Sequence, residues 1–146
     1  MSKNSSNQKF RKQFYVLCVI ASIIYLLTVL HITILSREPE ERRFSFELFD
    51  SYVRLFRDKN KFYYNMIVLN IAMEIPFGIL FPILFKKNDS FWKVTAGGFL
   101  FSLLIEFTQY FTGRGLFELD DLLNNTLGAS IGYIIFVFFK NIFIKK

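Results

Sequence analysis

Cysteine is nearly absent: Cys18 is alone in 146 residues. No intramolecular disulfide can form, so a disulfide scaffold is excluded. His31 is equally alone, which removes any His/Cys metal cluster; both residues are read as packing. There is no Walker loop, no nucleophile elbow and no HExxH element, and nothing identifies a covalent mechanism. The most informative absence is charge. Across windows 13–36, 62–85, 94–113 and 122–139, 86 residues in all, only Glu74 and Glu106 are charged. The other 60 residues carry 28 of the 30 charged side chains. A soluble domain spreads its charges along amphipathic elements. Roughly 20 apolar residues cross a hydrocarbon core, so stretches of this length read as bilayer spans. Disorder is excluded too, because 20 phenylalanines would not occur in a chain that stays unfolded.

What is present points to one domain, 1–146, and an all-α polytopic membrane protein. The expected architecture is a four-transmembrane-helix bundle with spans at approximately 13–36, 62–85, 91–112 and 122–140. Backbone groups in lipid must bond within their own segment, so spans in this number are helices. The first is longer than a signal-peptide core of about 7–15 residues and lacks a small-x-small cleavage pattern, so it reads as a retained helix. The net charge of +6 forms no contiguous nucleic-acid surface; the basic residues flank the apolar windows instead. With the N-terminus inside, ten basic residues face the cytoplasm: Lys3, Lys9, Arg11, Lys12, Lys86, Lys87, Lys93, Lys140, Lys145 and Lys146. Of the eight outside, seven lie in the 37–61 loop, interleaved with six acids. Both termini are therefore expected in the cytoplasm, the protein being multi-pass in its membrane. In the same loop Phe49, Tyr52, Val53 and Phe56 recur at helical spacing, giving an interfacial amphipathic helix, which is compatible with a lid over the bundle.

An ionisable side chain inside a span costs about 2.5–3.5 kcal/mol at the helix centre and is a functional candidate by default. Ser102, Glu106 and Gln109 fall at i, i+4 and i+7, on one helix face that must point into the bundle. Glu74 stands one turn from Asn70, with Pro76 predicted to kink the helix and Gly78 following without a side chain. After the third span, Gly113 and Gly115 permit a tight turn around Arg114. Asp120 and Asp121 then open the fourth helix, with Asn125 one turn beyond Asp121. Gly128 and Gly132 form a GxxxG spacing that admits a neighbouring helix, and they are expected to hold the Asp121/Asn125 face near the third span. Glu106, Gln109, Arg114, Asp120, Asp121 and Asn125 are thus expected to converge near the outer end of one hairpin. Arg114 suits an ionised carboxylate or a ligand's anionic group. The carboxylates and amides suit a hard divalent cation.

These residues carry a resemblance. Asn70-x5-Pro76-Phe77-Gly78, Ser102-x3-Glu106-x2-Gln109, Gly113-Arg114 and Asp120-Asp121-x3-Asn125-Thr-Leu-Gly128-Ala-x2-Gly132-Tyr133, in that order, resemble the VanZ-like family of bacterial membrane proteins. The similarity runs from about residue 62 to 140. It implies a small multi-helix protein of the cytoplasmic membrane, in a family named after a member associated with teicoplanin resistance. Asn70, Pro76, Glu106, Gln109, Arg114, Asp121 and Asn125 match the family's polar and kink positions. Glu74 departs from it, standing where the family is commonly apolar or aromatic. Three functions stay open. One is a protein that binds an envelope lipid, a lipid-linked wall precursor or a glycopeptide in an outward polar pocket and lowers drug susceptibility. Another is an intramembrane enzyme modifying a lipid or wall intermediate, with Glu106 or Asp121 as general base and Arg114 or a divalent cation stabilising charge. The third is a structural or accessory module.

Overall fold

The computed structural model describes residues 2–39, 41 and 44–144. Of the basic residues counted for orientation, the Lys3 side chain and the whole of Arg42, Arg43, Lys145 and Lys146 lie outside the described residues. Helix α1 (Ser2–Leu30) runs into a π-helical turn at His31–Leu35. Strand β1 (Phe44–Ser45), α2 (Asp50–Asp58) and α3 (Lys61–Leu84) follow. A 3₁₀ turn (Lys86–Asn88) leads to α4 (Phe91–Thr112), β2 (Phe117–Glu118) and α5 (Leu119–Ile144). Four stretches are long and apolar enough to cross a membrane: Gln8–Leu35, Lys61–Leu84, Phe91–Thr112 and Leu119–Lys140. The bundle expected from charge exclusion is therefore the fold of a multi-pass membrane protein. Helix α5 begins three residues before the expected 122, because Asp120 and Asp121 form its first turn and face the positive end of the helix dipole.

The helix ends have local causes. Asn60 caps α3, its side chain accepting from Phe62 N–H at 2.9 Å. Gly113 closes α4 at φ 67°, a left-handed conformation that glycine adopts without penalty. Helix α3 continues as a helix through both Pro76 and Pro82.

Helix α5 is the centre of the bundle, packed chiefly against α3 and then against α4. A Cβ on Gly128 would strike the Ile71 carbonyl oxygen, and one on Gly132 the Ile75 carbonyl oxygen. The matched register makes α3 and α5 parallel. The helix that the GxxxG pair admits is the second span, while Asn125 on the same helix meets Ser102 on the third. A Cβ on Gly78 would in turn meet the Ala129 carbonyl, so Gly78 serves this seam and not a pocket wall. The third span reaches α5 through Gly98, beside the Ala129 methyl. Lipid gives little hydrophobic drive for helix association, so backbone approach of this kind is what dispersion and close packing require. On the other flank, Phe77 stacks on Phe101 with centroids 5.3 Å apart, tying α3 to α4.

Helix α1 lies at the periphery, with Leu17, Ile20, Ile23, Ile24 and Leu27 exposed. Strand β1 pairs in parallel with β2, Phe44 opposite Phe117 and Ser45 opposite Glu118, so the 37–61 loop is fastened to the α4–α5 turn. Helix α2 keeps Phe49, Val53 and Phe56 outward and exposed while Ser51 is buried. That is an amphipathic helix lying across the bundle end.

Candidate functional site

Asp120 fastens α2 to α5. Its two carboxylate oxygens accept Phe49 N–H at 2.6 Å and Ser51 N–H at 2.8 Å. The residue before α2 is Phe49, held at φ 66° with no side-chain cap of its own. The carboxylate of α5 therefore supplies the missing N-cap from 69 and 71 residues away in sequence. One turn further along α5, Asn124 Oδ1 accepts from the Tyr52 hydroxyl. Burial and the Asp120 charge together raise the Tyr52 hydroxyl above its ordinary range.

Gln109 and Arg114 serve a different contact. Gln109 Nε2 donates to the Thr33 carbonyl at 3.1 Å, and Arg114 Nη1 to the Ile34 and Arg37 carbonyls at 3.1 and 3.3 Å. A π-turn leaves carbonyls exposed at its C-terminal end, and a guanidinium there complements the dipole. Arg114 is thus directed at the end of the first span.

The carboxylates come together with another cation. Glu106 is buried and Oε2 accepts Glu118 N–H at 3.0 Å. Asp121, Glu118 and Arg37 are the charged groups acting on it. Arg37 acts on Glu118 and Asp121 as well, and its guanidinium lies over Gly115, where a Cβ would come within 2.8 Å of Nη1. Glu118, outside the spans, has its carboxyl raised above the usual range, first by burial and then by Asp120, with Arg37 opposing. The sequence signal for Arg37 is its place directly after the first span, but nothing local tells that it folds back over the turn at Gly115.

Beneath this acidic cluster the polar residues form a seam. Asn70 on α3 lies beside Asp121. Asn125 Nδ2 donates to Ser102 Oγ at 2.9 Å. Deeper still, Thr95 and Ser130 hydroxyls meet at 3.0 Å. Asp121 Oδ1 and Asn125 Oδ1 are buried with no hydrogen-bond partner. Glu74 is 0% exposed and neither carboxylate oxygen is bonded. The Tyr25 hydroxyl, itself unbonded, faces Glu74 at the margin of hydrogen bonding. Among the described residues the five orphaned side-chain atoms are all oxygens, and four of them are carboxylate or amide acceptors. Groups of this kind are costly to bury unpaired, and their capacity is for donors.

The predicted cluster is therefore divided. Glu106, Asp121, Asn125, Ser102 and Asn70 are brought together; Asp120 is turned to α2, Gln109 and Arg114 to α1, and Glu74 to Tyr25. Glu118, Arg37, Tyr25 and Asn124 join as partners. For a divalent cation, no group of three His, Cys, Asp or Glu side chains is arranged as a ligand set among the described residues. Two concavities stand apart from the seam: one lined by Tyr15, Leu84, Phe85, Lys86, Lys87 and Asn88, the other by Leu55, Phe56, Lys59, Lys61 and Tyr64.

No curated protein and no solved structure matches the chain. A family model described as VanZ/LLP1 matches residues 13–140, which take in the candidate polar residues and nearly all of the four apolar helices. The chain belongs to the VanZ/LLP1 family.

Proposed function

We propose that this protein resides in a bacterial cytoplasmic membrane with both termini cytoplasmic, and that its acidic cluster engages an amine- or amide-bearing envelope molecule. The molecule is a lipid headgroup, a lipid-linked wall precursor or a glycopeptide, and its capture lowers susceptibility to drugs such as teicoplanin. The observation that carries this reading is the pair of orphaned acceptors, Asp121 Oδ1 and Asn125 Oδ1, buried below α2 beside Glu106. Unpaired acceptors select ligands that donate. The test is drug susceptibility of cells expressing equal membrane amounts of each variant. Wild type raises the inhibitory concentration of teicoplanin, and Glu106→Ala and Asp121→Asn lose that protection. Equal protection by all three removes the cluster from the function.

A second reading, a structural or accessory module, draws on Asp120, Gln109 and Arg114 each being committed to internal bonds. It expects the isosteric Glu106→Gln to keep full protection, since an amide oxygen still accepts Glu118 N–H.

A further inference from the structure

The junction of α2 and α3 carries cations that no described residue pairs with. Within α2 the arginines are paired: Arg54 Nε lies 2.7 Å from Asp50 Oδ2, and Arg57 Nε 2.9 Å from Asp58 Oδ1. Asp58 is held below the ordinary carboxylate range by Arg57. No acid remains on this element for the next two cations. Among the described residues, neither Lys59 nor Lys61 has an ion-pair partner. Both are exposed, and both line a shallow, open depression whose remaining walls are Leu55, Phe56 and Tyr64.

The position of this depression sets its chemistry. Lys61 and Tyr64 belong to the first turn of a 24-residue span, so the depression lies where hydrocarbon gives way to headgroups. It also lies at the positive end of the α3 dipole, where anions are favoured. Phe56 is 78% exposed and Tyr64 54%. Two aromatic side chains open to acyl chains, with two unneutralised ammonium groups at headgroup height, match an amphiphile that has an apolar tail and an anionic head. We infer that the α2–α3 junction is a binding site for the phosphate of an anionic phospholipid of the surrounding leaflet. Lys59 and Lys61 hold the phosphate, and Phe56 and Tyr64 flank the proximal acyl chain. The site is separate from the acidic cluster and has the opposite charge preference.

The test uses the full chain reconstituted in phosphatidylcholine vesicles containing about one-fifth phosphatidylglycerol. Lipids retained after gentle detergent extraction are counted by native mass spectrometry. Wild type retains phosphatidylglycerol in preference to phosphatidylcholine. K59Q/K61Q, with both changes on exposed side chains, lowers that retention about ten- to thirty-fold. Equal retention by K59Q/K61Q overturns the proposal. So does retention of phosphatidylcholine as strong as phosphatidylglycerol, or a polyprenyl phosphate carried through purification in its place. Thermal melting of K59Q/K61Q at the wild-type midpoint separates lost binding from lost folding. Teicoplanin protection by K59Q/K61Q reports on the acidic cluster independently.

Discussion

Asp120 does from α5 what a serine or aspartate does locally at most helix starts. Two backbone N–H groups share its carboxylate, so Asp120→Ala strands both, a loss of about 2 kcal/mol in the docking of α2. The expected outcome is faster amide exchange at Phe49, Ser51 and through α2, with the α3 and α5 interiors unchanged. Glu118 gives a pH signature. Burial followed by the Asp120 charge raises its carboxyl, so its contribution to stability is complete below the ordinary glutamate range. That contribution is lost as pH rises through the raised value, because the folded chain resists ionisation more than the unfolded one. Glu118→Gln is therefore expected to melt higher than wild type at neutral pH, the two converging in acid. Melting curves measured across pH check this; a constant offset between them counts against the assignment.

Among the helices, the α3–α5 seam separates glycines that packing requires from one that it does not. A side chain at Gly128 meets the Ile71 carbonyl, which has no rotamer to yield with. Gly128→Leu is expected to cost about 3 kcal/mol or more and to lower the yield of folded protein in detergent. Gly97→Ala places its methyl 3.4 Å from the Phe77 and Phe81 rings, ordinary contact, and is expected to melt within a degree or two of wild type. The same contrast shows what could be read from residues alone. Expulsion of charge from four windows located the helices, since lipid forbids charge wherever a span faces it. GxxxG announced a close approach but not its partner, because any helix satisfies a groove. Glu106 and Asp121 were legible as inward-facing groups; the commitment of Arg114 to α1 and of Asp120 to α2 was not. Those are bonds between residues 69 to 80 apart, and local spacing carries no record of them.

For the whole molecule, α2 and the 86–93 turn lie at opposite ends of the bundle. The proposed orientation puts α2 outside. In a Cys18→Ser background, Lys59→Cys is expected to react with a membrane-impermeant maleimide on intact cells, and Lys87→Cys only after permeabilisation. The reverse pattern inverts the protein and places the acidic cluster toward the cytosol. Glu74 has a consequence for biosynthesis. The glycine that covers it, Gly128, is translated 54 residues later. Of the groups that meet Glu74, Tyr25 lies on the first span and precedes it in synthesis. An acid buried between elements this far apart in sequence is expected to be fully sheltered only once α5 has packed against α3.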